Sequence, residues 1–410
     1  MRRRHSFGFA LTLAAALPVA IASACGGGTA PADDAVTVGL LLPFTGPTSA
    51  TTRNFERAAL YAADRVNAGG GIHGRRLRIV SRDTHDDVDR SRQSADELIA
   101  DGAVVIVGPE SADIAQTIAP VLADHQVAFL SPLVGAADEA TLDCTHPWFR
   151  LAPSARSLGE ALAKLAWAQG LRNAAVLHAT DAYDVALSDA VSARFAALGG
   201  QIMLTLELDP NAQTYAGVAR QTVDAQVGSI FLAAAPRTGA LAVNELEALS
   251  GQPLSWFLSP LLKTELLVAN VAPEALEGAL GVAPRIYDTS AAFPDAFSAR
   301  WQGDHPLEGA YFYYDALGLL ALALEKTTAA ADGSIDVSQL GAAIQDAAAP
   351  PGEGVGWNEI ELGLQRTRDG NDVYYSGLTG PMLLDACGSR QLGATSTWQV
   401  HAGTIAEVAQ

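Results

Sequence analysis

VTVGLLLPFTGPTSATTRNFERAALYAADRVNAGGGIHGRRL, Val36 to Leu77, is the stretch whose reading decides the fold. Val36–Leu42 is β-branched and apolar, which predicts a buried strand. Pro43, Gly46 and Pro47 then break it into a loop. Thr48–Thr52 offers hydroxyls that can cap a helix or meet a ligand. From Phe55 to Val66 the apolar residues return at helical spacing, at positions 55, 58, 59, 62, 63 and 66. Asn67–Gly71 stops that helix, since glycine accepts the left-handed backbone of a helix C-terminus. Leu77–Val80 begins a second strand. The unit is strand, loop, helix, strand. Its loop lies at the carboxyl end of a strand, where open α/β sheets hold ligands.

The same pattern recurs along the chain. Asp86 or Asp87 is placed to cap a helix over Val88–Ala100. Asp83, Asp87 and Asp89 do not make a calcium loop, because the glycine and final glutamate of that loop are missing. Strands are predicted at Val104–Val107 and Val127–Leu130, with loops Gly108–Ser111 and Ser131–Leu133. A second series follows, with strands Ala174–His178, Ser229–Ala233 and Ser255–Leu258 and loops Thr180–Tyr183, Ala234–Arg237 and Ser259–Leu261. The pentapeptide Phe-Leu-Ser-Pro-Leu ends a strand in both series, at 129–133 and 257–261. That placement supports two lobes of like topology. Ala310–Leu324 is apolar on nearly every side and too short to span a membrane, so it is expected as a core helix. Pro350–Asn358 is expected as a loop, and Tyr374–Leu384 and Thr397–Val400 as strands.

Composition and ends point outside the cytoplasm. Arg2, Arg3 and Arg4 precede an apolar run, Phe7–Ala22, so Met1–Ala24 is expected to be an export signal. Ala22-Ser23-Ala24-Cys25 resembles a lipoprotein cleavage box, with alanine where leucine usually stands. Cys25 is therefore the expected lipidation site, and residues 25–35 a flexible tether. The chain carries 45 acidic and 26 basic residues. Such an acidic body disfavours nucleic acid and anionic membrane surfaces as partners. With Cys25 lipidated, Cys144 and Cys387 remain, and an even pair in an oxidising compartment suggests a disulfide; two separate thiols are the alternative. No Walker loop, HExxH, CxxC or GxSxG motif is present, and the eight histidines are scattered, so an enzyme is disfavoured and no cofactor or metal is expected.

The wording of several segments is more specific. GLLLPFTGP, AADRVNAGGGIHGRRL, VIVGPESADIAQTIAPVLADHQVAFLSP, FRLAPSARSLGEALAKLA and TDAYDVALSDAVSARFAALGGQI resemble the type I periplasmic solute-binding proteins, in the branch named for leucine, isoleucine and valine. The resemblance runs through nearly the whole mature chain. It implies an α/β fold of two doubly wound lobes with central parallel sheets, joined by a three-strand hinge. Lobe 1 would comprise 36–152 and 284–386, and lobe 2 would comprise 153–283 and 387–410, with crossovers at Trp148–Ser154, Gly278–Pro284 and Tyr374–Leu384. The function implied is a monomeric lipoprotein on the periplasmic or extracellular face. It would capture a small-molecule solute and deliver it to an ABC permease. A ligand-sensing receptor is the alternative.

By resemblance, the solute meets Thr45, Ser111, Ala112, Leu133 and Gly135 from the first lobe. Tyr183, Pro236 and Leu261 would meet it from the second lobe, and Tyr311 would line the cleft from the returning segment. Loop packing is the alternative role for each. Amino-acid-binding relatives receive the ligand carboxylate on a Ser-Ser pair and a threonine hydroxyl. Here Ala112 replaces the second serine and Gly135 stands where the threonine is expected. The positions that usually face the ammonium fall near Ala235-Pro236 and Leu261, which carry neither charge nor hydroxyl. The implied solute is thus less polar than leucine, isoleucine or valine, or not a zwitterion.

Overall fold

The computed structural model describes Met1 and residues 35–46, 49, 51–134, 148–329, 335–390 and 395–408. The expected export signal and Cys25 lie outside the described residues, as do Gly135 and Cys144. Residues Ala35–Gln410 cluster as one compact unit. The deciding stretch folds as β1 (Ala35–Leu42), α1 (Thr52–Ala68) and β2 (Arg76–Asp83). The helical spacing is realised, with Phe55, Ala58, Ala59, Ala62, Ala63 and Val66 all buried on one face of α1. Asp87 caps α2 (Val88–Ala100), its carboxylate accepting from the Arg90 N–H at 2.9 Å.

Two sheets organise the unit. The first adds β3 (Ala103–Val107), β4 (Ala128–Ser131) and β5 (Trp148–Arg150) in the order β2-β1-β3-β4-β5, every pair parallel. The helix α3 (Ala112–Asp124) links β3 to β4. Val36, Val38, Leu40 and Leu42 of β1 share one core with α1, and Leu41 faces another with Ala95 and Leu98 of α2 and Ile114 and Ile118 of α3. Strand residues alternate between faces, so a sheet covered by helices on both sides demands the near-continuous apolar strands seen here.

The second sheet repeats the scheme with β6 (Asn173–Ala179), β7 (Gln201–Leu208), β8 (Ser229–Ala233), β9 (Ser255–Leu258) and β10 (Leu280–Pro284). These run parallel in the order β7-β6-β8-β9-β10. On one face lie α4 (Ala155–Ala168) and α5 (Ala182–Ala197), packed on Val176, Phe231, Phe257 and Val282. On the other lie α6 (Ala216–Asp224), α7 (Pro236–Ser250) and the short α8 (Glu265–Val268), over Leu177, Ile230, Leu232 and Trp256. The two Phe-Leu-Ser-Pro-Leu copies end β4 and β9, each the strand next to the last parallel strand of its sheet.

After β10 the chain rejoins the first body through α9 (Ala292–Arg300) and α10 (Glu308–Lys326), the helix expected at 310–324 and buried along most of its length. There follow α11 (Val337–Ala348), β11 (Glu353–Val355), α12 (Ile360–Arg368), β12 (Val373–Gly377) and β13 (Gly380–Pro381). The glycine-rich segment expected as a loop therefore holds a strand, because Glu353–Val355 pairs in parallel with Val373–Tyr375. Tyr374–Leu384 does not make the third crossing. It closes a small sheet in the order β11-β12-β13, and the chain crosses after Arg390. It then enters the second sheet as the antiparallel hairpin β14 (Thr395–His401) and β15 (Thr404–Val408), on the edge of β10. Gly281 permits this close approach, since a Cβ there would lie 2.3 Å from the Trp398 ring.

Candidate functional site

The loops that leave the carboxyl ends of both sheets bound one gap. On the first side these are the described residues 43–46, 49 and 51 after β1, 84–87 after β2, 108–111 after β3 and 132–134 after β4. On the second side they are residues 180–181 after β6, 234–235 after β8 and 259–264 after β9. Two contacts span the gap. The helix α3 approaches α5, and Lys263, beyond β9, ion-pairs with Glu308 at the start of α10 and with Glu407 of β15. Burial lowers the Lys263 pKa, but the two glutamates outweigh it, and the ammonium stays charged.

Behind the gap, the crossing segments are knotted by two buried arginines. Arg150 ends β5, and its guanidinium donates to the Cys387 carbonyl at 2.9 Å and to Ser389 Oγ at 2.7 Å. Arg390 donates to the carbonyls of Leu151 at 3.0 Å, Thr379 at 2.5 Å and Pro381 at 3.0 Å. The backbone joins in, Arg150 donating to Gly388 at 2.7 Å and Arg390 to Arg150 at 3.2 Å. Hydrogen bonds thus tie the first crossing to the segment that leads into the third. Cys387, in this knot, is disulfide-bonded. We propose Cys144 as its partner. Peptides from an unreduced digest are expected to show the 144–387 link, and two free thiols would refute it. Reduction should cost about 4 kcal/mol of stability, as for any long closed loop.

The expected site residues fall unevenly. Thr45 stands in the β1 loop, but its hydroxyl is committed, donating to Asp83 Oδ2 at 2.7 Å and lying 2.8 Å from His85 Nδ1. Burial raises the Asp83 pKa, and hydrogen bonds from Thr45 and the His85 N–H more than reverse this. Ser111 is the N-cap of α3, accepting from the Ile114 N–H at 3.4 Å, and Ala112 opens that helix. Leu133 packs against the first core. Pro236 opens α7 without a side-chain cap, and Leu261 is exposed in the turn after β9. Tyr183 rests its ring on the core beneath α4 and α5. Tyr311 packs its ring against Phe293 in a tilted pair, with ring centroids 4.9 Å apart. Its phenol pKa is raised by burial and by the nearby charges of Asp288 and Glu308.

Three polar groups at this edge were not singled out from the sequence. Glu110 follows β3, and its Oε1 is buried without a partner among the described residues. Burial and the charge of Asp86 push its pKa up to about 8. Tyr313 is fully buried, with its hydroxyl also unpartnered. That hydroxyl lies 3.6 Å from where a Cβ on Gly108 would stand. Gly108 has φ +99°, and a Cβ there would meet the Leu41 carbonyl at 2.2 Å, so only glycine fits this turn. Across the gap Asp184, in the first turn of α5, is fully buried with both carboxylate oxygens unpartnered. Burial and Asp181 raise its pKa well above the usual carboxylate range. Ser131 and Ser259 differ despite their matching pentapeptides. Ser131 Oγ accepts from Trp148 Nε1 at 2.7 Å, whereas the buried Ser259 Oγ has no partner.

A model of the periplasmic binding protein family matches residues 35–352. The chain belongs to that family. Among curated relatives, the Leu/Ile/Val-binding protein BraC3 of Rhizobium johnstonii is 24% identical over 220 residues, 52% of this chain and 59% of its own. The chemotactic signal transduction system substrate-binding protein BasB of Halobacterium salinarum is 28% identical over 247 residues, 54% of this chain and 58% of its own. The match thus spans under two thirds of these relatives' length. Among solved structures, the leucine-binding protein LivK of Thermotoga maritima superposes with a TM-score of 0.75 at 18% identity, over 91% of this chain and 98% of that one. A solute-binding protein of R. palustris in complex with benzoate gives 0.72 at 18% identity, over 92% and 96%. The fold of this periplasmic binding protein is that of the type I members, with parallel central sheets. No helix among its described residues is long and apolar enough to cross a membrane.

Proposed function

We propose that this periplasmic binding protein captures a small solute in the gap between its two sheets and delivers it to an ABC permease. One observation carries the reading: buried polar groups without partners lie at or beside the carboxyl ends of both sheets, Glu110 after β3 and Tyr313 of α10 on one side, Asp184 of α5 and Ser259 after β9 on the other. A buried polar group left unpaired costs about 1–3 kcal/mol, and a solute held between the sheets would repay it. Of the expected contacts, Ser111, Ala112, Leu133, Tyr183, Pro236 and Leu261 sit on elements that border this gap. Closure about the crossing segments would be stabilised only by what the solute gains in the closed form. Incubated with a metabolite extract and separated by ultrafiltration, the native protein is expected to retain one class of small molecule at near equal stoichiometry. Retention of nothing above a buffer control overturns solute capture.

Delivery and anchoring belong to the same proposal. Cleavage before Cys25 and lipidation would hold the protein at the membrane, and two or more acyl chains make such anchoring durable. A Cys25→Ser chain is then expected in the soluble extracytoplasmic fraction, and a wild type equally soluble would refute the anchor. The chemotactic relative favours a second reading, in which the protein reports its solute to a membrane receptor. ATP-dependent uptake of the retained molecule that requires this protein supports delivery. Uptake that is indifferent to it, with co-purification of a receptor, supports sensing.

A further inference from the structure

Resting on the reading that solute is captured between the sheets, we propose that Lys263 is a clasp at the rim of the gap. From the second body it holds Glu308 of the first, keeps the carboxyl ends of the two sheets together, and so sets how readily the gap opens.

Each end of the clasp is firmly mounted on its own body. Lys263 ends a tight turn after β9, in which the Leu262 N–H donates to the Ser259 carbonyl at 3.1 Å and the Lys263 N–H to the Pro260 carbonyl at 3.1 Å. Leu262 anchors that turn. It is fully buried in the second core and lies where Gly239 of α7 leaves room, since a Cβ there would come within 2.6 Å of it. Thr264 then caps α8, its hydroxyl accepting from the Leu266 N–H at 3.2 Å. Glu407, on the same body, steadies the ammonium. Its Oε1 accepts from Ser396 Oγ of β14 at 3.2 Å as well as from Lys263. On the first body Glu308 opens α10, and the start of that helix is pinned to α1. Asn54 Oδ1 accepts from the Leu307 N–H at 2.8 Å, and Asn54 Nδ2 donates to the His305 carbonyl at 2.7 Å. An ion pair mounted this way is lost when the two bodies part.

Most surface ion pairs contribute little, but this one is largely desolvated on the lysine side, whose side chain is 9% exposed. Its charge therefore depends on its two carboxylates. Those carboxylates belong to exposed residues, and each meets the one ammonium with its Oε1. Without the lysine, two like charges would face each other across the gap and repel. Of the chain's three lysines, Lys164 pairs within α4 and Lys326 pairs within the first body, with Asp346 and Asp372. Lys263 is the one that crosses. It also crosses beside expected solute contacts. Leu261 lies two residues before it, and Tyr311 lies about one helical turn after Glu308.

Two measurements test the clasp, both without solute. A water-soluble carbodiimide joins an amine to a carboxylate that touches it, and the unaltered native protein is treated, digested and mapped by mass spectrometry. An amide between Lys263 and Glu308 is expected. A link from Lys263 to Glu407 alone, or no link from Lys263, overturns the clasp whether or not any variant folds. Small-angle scattering from the Cys25→Ser chain at neutral pH then reads the opening. Lys263→Met keeps the bulk of the side chain and removes its charge, and it is expected to raise the radius of gyration beyond experimental error. Adding Glu308→Gln to Lys263→Met removes the repulsion and is expected to bring the radius back toward its starting value. Glu407→Gln alone spares the pair across the gap and is expected to raise the radius less than Lys263→Met. A radius unchanged in Lys263→Met, not lowered by the added Glu308→Gln, or raised as much by Glu407→Gln, overturns the inference. Such a failure leaves solute capture standing, and a protein that retains no solute can still show the clasp.

Discussion

Replacing Arg390 with alanine is expected to lower the free energy of unfolding by about 3–5 kcal/mol, since it strips a charged donor from three carbonyls, each worth about 1–3 kcal/mol when left unpaired. Arg390 is 6% exposed and its guanidinium holds three backbone carbonyls, Leu151 from the first crossing and Thr379 and Pro381 from the small sheet. Burial lowers its pKa, and the buried Asp315 opposes that. Alanine would leave the three carbonyls without this donor. Lysine is a poor substitute, because one ammonium cannot reach three carbonyls set in a fork. The shift in a urea midpoint, at unchanged slope, reads the loss. A change below about 1 kcal/mol, the scale of a surface substitution, would mean that the crossing segments are held by something else.

Asp315→Asn should be strongly destabilising too, and its cost should depend on pH. Asp315 is fully buried in α10 and is met by four donors. Oδ1 accepts from the Tyr375 hydroxyl at 2.8 Å and the Leu378 N–H at 2.9 Å. Oδ2 accepts from the Thr379 N–H at 2.7 Å and the Thr379 hydroxyl at 2.8 Å. An asparagine NH2 would face a donor pair on one side, at a cost of about 2–4 kcal/mol at pH 7. Burial raises the Asp315 pKa to about 6, against the pull of these hydrogen bonds. The folded pKa therefore lies above the unfolded value of 3.8. The native state binds the extra proton, so this group's contribution is fully favourable below about pH 4 and falls as pH rises through 6. A shift of this size is worth about 3 kcal/mol. Asparagine does not titrate, so the gap between wild type and Asp315→Asn is expected to widen from pH 7 to pH 4. A gap that stays constant across that range would show that Asp315 is not held at a raised pKa.

The sheets were legible because their strands are buried on both faces. Val36–Leu42, Val104–Val107, Ser229–Ala233 and Ser255–Leu258 are mostly apolar along their length, and helical spacing at 55–66 set the first crossover helix. The edge strand β7 was harder to see. Its residues alternate between exposed and half-buried from Gln201 to Glu207, and helices flank it in sequence. The third crossing was misplaced because Tyr374–Leu384 alternates like a strand, and periodicity cannot say which sheet a strand joins. At the candidate site, loop position singled out Ser111 and passed over Glu110 beside it, since glutamate in a loop is ordinarily solvated. Tyr311 and Tyr313 show the same limit. Two residues along α10 turn a side chain by about 200°, which sends one ring to Phe293 and the other to Phe55 and the β3 loop. Only the packed helix distinguishes them.

The central claim is that one solute touches loops from both sheets at once, and hydrogen–deuterium exchange with the retained solute tests it most directly. Glu110, just before the N-cap of α3, and Asp184, in the first turn of α5, carry buried polar atoms that lack partners on the two sides of the gap. On addition of solute, peptides covering Glu110–Ala115 and Asp181–Leu187 are both expected to slow their exchange, with the outer helices α2 and α7 unchanged. Protection confined to one of the two peptides, or appearing at neither, would contradict capture between the sheets.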